Sequence, residues 1–100
     1  MPDIGDGVHG MESADFEGYV DIRPPEGEEW FIPNIYFQQE VELIKTDGDN
    51  EIVIARATNP EGGSWAAYKY FVSRDYYLRV RNTSSQEESQ VIGYEGVRSS

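Results

Sequence analysis

The sequence predicts an all-β fold, an antiparallel β-sandwich of jelly-roll or Greek-key type with about seven or eight short strands. Three observations predict it. β-Branched and aromatic residues cluster in short runs, as pleated, half-buried strands require. Glycine, proline, aspartate and asparagine divide those runs at regular spacing. No segment carries an apolar stripe at i, i+3, i+4, i+7 over the roughly ten residues a helix needs.

Residues 1–15 are glycine-rich, acidic and poor in apolar side chains. Such a composition buries little surface by itself, so this segment reads as an N-terminal arm, ordered by a neighbouring subunit if at all. Residues 16–100 then form one sandwich domain, a size that supports a core without staples. Tyr19–Arg23 alternates, with Val20 and Ile22 on one face, and Pro24-Pro25-Glu26-Gly27 ends it. Glu29–Phe37 is the densest apolar stretch and the expected central strand. Its alternation puts Trp30, Ile32 and Asn34 on one side and Phe31, Pro33 and Ile35 on the other. Pro33 cannot donate to a ladder, so a kink or bulge is expected there.

Val41–Thr46 and Glu51–Ala57 flank Asp47-Gly48-Asp49-Asn50, a hairpin signal because Asp and Gly tolerate positive φ. Asn59–Ser64 is a loop, Trp65–Val72 the next strand and Ser73-Arg74-Asp75 a turn. Asp75–Arg81 alternates, with Tyr76, Leu78 and Val80 inward and Tyr77, Arg79 and Arg81 outward. A polar loop, residues 82–89, leads to a final strand, Val91–Val97, interrupted by Gly93 and Gly96.

The chain has 19 acidic and 8 basic residues, a net charge of −11. That balance argues against nucleic acid and anionic membranes as partners, because both need a positive face. It suits either simple solubility or a high-salt setting, where screening removes self-repulsion. Without cysteine there are no disulfides, and any metal must be held by His, Asp or Glu. No apolar run approaches the roughly 20 residues of a membrane span, and the N-terminus lacks the features of a signal peptide.

Chemistry-bearing constellations are weak. His9, the single histidine, sits in the glycine-rich arm, a poor place for a preorganised base. Asp47 and Asp49 suggest a weak metal site, but the acidic run stops well short of the twelve residues of an EF-hand loop. Glu28, Glu29, Glu40, Glu42, Glu51, Glu87 and Glu88 fall at positions that read as solvated. No nucleophile–base pair can be named, so the chain reads as non-enzymatic and without cofactor. Tyr68, Tyr70 and Tyr77, with Arg79, Arg81 and His9, are the candidate interface residues; aromatics and arginine dominate such surfaces. Cross-strand pairing with carboxylates is the simpler role for the arginines. Asn82-Thr83-Ser84 also matches a glycosylation acceptor.

Four stretches together resemble a group of small virion proteins of tailed viruses of bacteria and archaea. They are Ile22-x-Pro24-Pro25-x-Gly27-x-Glu29-Trp30-x-Ile32-x-Asn34-Ile35; Val41-Glu42-Leu43 with its Asp47-Gly48 turn; Tyr77-Leu78-Arg79-Val80-x-Asn82-Thr83-Ser84; and Ile92-Gly93-Tyr94-Glu95-Gly96-Val97. The resemblance spans residues 16–97. It implies a β-sandwich accessory of a capsid or tail, a decoration, turret or tail-attached subunit located in the virion. Its partners would be copies of itself and a major capsid or tail protein, and the low lysine content would suit a salt-loving host. The alternative is a carbohydrate- or receptor-binding module that meets a host-surface glycan through exposed aromatics.

Overall fold

The computed structural model describes residues 3–66 and 70–100. It is an antiparallel β-sandwich, with no helix among those residues. The strands are β1 (Gly7–Ala14), β2 (Tyr19–Ile22), β3 (Glu29–Phe37), β4 (Val41–Thr46), β5 (Glu51–Ala57), β6 (Gly63–Trp65), β7 (Tyr70–Ser73), β8 (Tyr77–Asn82) and β9 (Gln90–Arg98). One sheet runs β1-β9-β3, with β6 and β7 one beyond the other along the far edge of β3. The other runs β2-β8-β4-β5. Among the described residues, only the β4–β5 hairpin pairs strands that are consecutive in sequence.

The core lies between the sheets. Val20, Ile22, Ile32, Ile35, Val41, Leu43, Leu78, Val80 and Ile92 are each essentially inaccessible there. These are the inward positions of the period-2 alternation, and each side chain so buried contributes on the order of 1.5–3 kcal/mol.

Three expectations are corrected. The segment read as an arm is largely a strand: β1 pairs along its whole length with β9, Gly7 opposite Val97 and Ala14 opposite Gln90. Val8 and Ala14 are buried, and these two inward side chains anchor a sequence whose composition looks too polar to order itself. The phase of β3 also changes at Pro33. Register shifts between Phe31 and Asn34, so Ile35 and Phe37 join Trp30 and Ile32 in the core, and Asn34 turns outward to face Glu95. The bulge sits where proline's missing donor costs no ladder bond. Finally, the expected Trp65–Val72 strand is two strands, β6 and β7, on the two halves of β3 either side of that bulge. Tyr68 lies outside the described residues.

The last strand is continuous through its glycines. At Gly96 a Cβ would stand 2.0 Å from the Phe31 carbonyl oxygen. The glycine is what lets β9 approach β3 beside the bulge. The 47–50 hairpin forms as expected, with Gly48 at φ 100°.

Candidate binding site

At one end of the sandwich the core is polar instead of apolar. Asn82 ends β8 and Gln90 begins β9, and both are fully buried. The Asn82 amide donates to the Ala14 carbonyl at 2.9 Å and the Glu88 carbonyl at 2.7 Å. Its oxygen accepts from Ser84 N at 3.0 Å and Gln90 Nε2 at 2.8 Å. The Gln90 oxygen accepts from the Gln38 and Gln39 amides, and its nitrogen also donates to the Glu40 carbonyl. Every donor and acceptor on both amides is satisfied, so this network fixes β1, β8, β9 and the β3–β4 turn relative to one another. The Asn82 side chain is buried and committed, which takes it out of reach as a glycosylation acceptor.

Beside this node opens a cavity of about 640 Å³. Asn82 and Ser84 form its floor. Phe16, Glu17 and Tyr19 come from the turn into β2, Arg81 from β8, and Thr83, Ser85 and Glu87 from the loop that follows. Glu17 and Glu87 both hold left-handed backbone, at φ 68° and 57°. Non-glycine residues rarely adopt that region, and it costs roughly 1–2 kcal/mol. Both lie in turns closed by backbone bonds, Gly18 N to the Asp15 carbonyl and Glu87 N to the Ser84 carbonyl.

Next to the cavity, the outer face of the second sheet carries an ion network. Arg79 donates to Asp21 (2.8 Å) and to Glu51 (2.7 Å), and Arg81 reaches Glu51 (3.4 Å) and Glu42 (3.9 Å). The Arg79 guanidinium lies 3.9 Å from the Tyr19 ring centroid, and its side chain is only 14% exposed. Asp21, then Glu51, hold Arg79 charged beyond the usual arginine range; the Arg79 hydrogen bond in turn lowers the Glu51 pKa. The arginines are therefore paired across strands.

The other predicted residues disperse. Tyr77, expected outward, is buried in the hydrophobic core cluster, with the Arg23 guanidinium 4.4 Å over its ring. Tyr76, expected inward, is exposed because it belongs to the turn before β8. Tyr70 faces the core and packs on its margin. His9 lies on the outer face of the first sheet, 73% exposed, with Nδ1 3.8 Å from Glu95. The Glu95 carboxylate also accepts from Asn34 Nδ2 (3.2 Å) and from the Tyr36 hydroxyl, which raises the Tyr36 pKa. At the hairpin tip, Asp47 accepts from the Asp49 and Asn50 backbone amides and from Asn50 Nδ2. These bonds pull its carboxyl down to about 2. Its oxygens cap their own turn, and among the described residues no group of three or more His, Cys, Asp or Glu stands close enough to hold a metal ion.

Glu28, expected to be solvated, is buried: it accepts from the Trp30 indole at 3.1 Å, with Arg98 at 3.8 Å. Sequence reasoning missed the cavity residues Phe16, Glu17 and Thr83 altogether. The one available signal was the run of short polar residues at 82–86, which reads equally well as an ordinary loop. No protein-family model matches the chain, and no curated protein matches it.

Proposed function

We propose that this chain is a non-enzymatic structural subunit of a virion, a capsid decoration, turret or tail-attached protein that works by burying surface against copies of itself and against a shell or tail protein. The observation that carries this reading is strand β5. It is an edge strand, and Ile52, Val53 and Ile54 are 66%, 37% and 40% exposed on it in succession. An apolar, unpaired edge is a template for another strand, and soluble chains usually protect such edges with charge. Here charge appears only towards the two ends, at Glu51 and Arg56. Antiparallel pairing with a second copy about Ile54 sets Glu51 opposite the copy's Ala57, one position from its Arg56.

Phe71, Phe31 and Val97 form a second apolar row across the outer face of the first sheet, which suits contact with a shell protein. The −11 charge opposes self-association in dilute buffer and much less so in concentrated salt. Sedimentation velocity from 0.15 to 3 M NaCl tests the reading. The expected result is a homo-oligomer that strengthens with salt and is lost in Val53→Lys. A monomer at every salt concentration, or an oligomer indifferent to Val53→Lys, overturns it.

A further inference from the structure

We infer that the cavity between the 15–18 turn and the 83–87 loop is a binding site for a neutral sugar ring. Its volume of about 640 Å³ falls within the roughly 300–1,000 Å³ of small-ligand sites. Three features define the ligand's chemistry. The Phe16 and Tyr19 rings offer apolar faces, and Arg79 already covers the Tyr19 ring, leaving it fixed in place while still half exposed. A pyranose has a matching C–H face.

The Glu17 and Glu87 carboxylates can accept from sugar hydroxyls. Neither is bonded to another side chain among the described residues, and Thr83 adds a hydroxyl that can donate or accept. The net charge of −11 and the two carboxylates repel an anionic ligand. Arg81 is already paired with Glu42 and Glu51, so it supplies little attraction for an anion. A neutral polyhydroxylated ring uses the aromatic faces and the hydroxyl-binding groups of this lining together.

The site is also preorganised. Its floor is the satisfied Asn82–Gln90–Ser84 network, and both carboxylate-bearing residues hold the left-handed backbone that elsewhere among the described residues is left to glycine. Strain of this kind gathers at functional positions. Walls held in advance lose less entropy when a ligand is fixed.

The test is an array of neutral hexose and N-acetylhexosamine oligosaccharides probed with the intact chain, followed by NMR titration with the best-bound glycan. At least one neutral glycan is expected to bind. Tyr19→Ala and Glu87→Gln should each weaken it tenfold or more, while Tyr36→Ala, on the far sheet, leaves it unchanged. Glu87 is exposed, so Glu87→Gln keeps the fold and tests the site even if Tyr19→Ala lowers the melting temperature. Three results overturn the inference: no glycan binding, binding confined to sialylated or sulfated glycans, or affinity unmoved by Glu87→Gln and Tyr19→Ala. Assembly is read by mass, so failure here is separate from failure of the oligomer reading.

Discussion

Gln90 Nε2 donates to Asn82 Oδ1 at 2.8 Å in a place closed to solvent, and neither amide has an unmet donor or acceptor. The pair does at one end of the sandwich what leucine and isoleucine do elsewhere: it joins the two sheets. Unlike an apolar contact, it permits only one arrangement. Asn82→Ala would strand the Ala14 and Glu88 carbonyls, the Ser84 amide and the Gln90 amide at once. The expected cost is about 3 kcal/mol or more, since each buried unmet group costs roughly 1–3 kcal/mol. Urea unfolding checks it, and a loss under about 1 kcal/mol would mean that water or rearrangement restores the bonds.

Arg79→Ala is expected to cost about 2–3 kcal/mol, because Asp21 and Glu51 lose their common partner and Tyr19 loses its cover. Arg79→Lys should recover less than half. An ammonium cannot bond Asp21 and Glu51 at once while lying flat over a ring. Melting temperatures of the three proteins at low salt give the comparison.

At Asp47 the folded carboxyl is held at about 2, below its ordinary value of 3.8. A depressed acid contributes stability at pH above the unfolded value and loses it as pH falls through the folded one. The gap in urea midpoint between the native chain and Asp47→Ala should therefore be constant above about pH 5 and close between pH 4 and pH 2. A gap that does not change over that window would show that the turn does not depend on the ionised carboxylate.

Gly96→Ala should be among the most damaging small substitutions. Its methyl would meet a backbone oxygen 2.0 Å away, and a backbone atom cannot swing aside like a side chain. The expected loss is about 3 kcal/mol or failure to fold. Gly93→Ala, whose Cβ would stand 3.3 Å from the nearest atom, should cost clearly less. Circular dichroism melts of the two variants decide it.

Glu17→Gly is expected to stabilise the chain by about 0.5–1 kcal/mol, by relieving a side chain held at positive φ against glycine's larger unfolded entropy. If Glu17 serves the cavity, the same variant binds its ligand less well, a trade between stability and activity.

The sandwich was legible because it rests on period-2 alternation and turn chemistry. Val20, Ile22, Leu78 and Val80 show the alternation, and Asp47-Gly48 marks its hairpin outright. What sequence could not show depends on partners distant in the chain. A bulge at Pro33 was foreseeable, but not that it would carry Ile35 inward and Asn34 outward, because that depends on the register against β9. β1 looked like a tail because only two of its residues, Val8 and Ala14, are buried apolar side chains, and its order comes from β9, some eighty positions later. Tyr77 was expected outward but is a core residue, with Arg23, just past the end of β2, over its ring. The cavity was the least legible feature. Its lining comes from two turns, and turn residues are chosen for backbone conformation before any ligand chemistry becomes visible.

The pairing of the first strand with the last has a consequence for how the protein is made. While the ribosome is still supplying residues before 90, β1 has no edge to join and β3 lacks the neighbour that completes its sheet. Every strand of the β2-β8-β4-β5 sheet is made by residue 82, before β9, and the edge of that sheet carries the sticky Ile52-Val53-Ile54 run. Closing the first sheet therefore waits for β9, and folding is slow for the chain's length because nearly all strand pairs close long loops. Premature strand exchange between nascent neighbours is the hazard the cell must outpace.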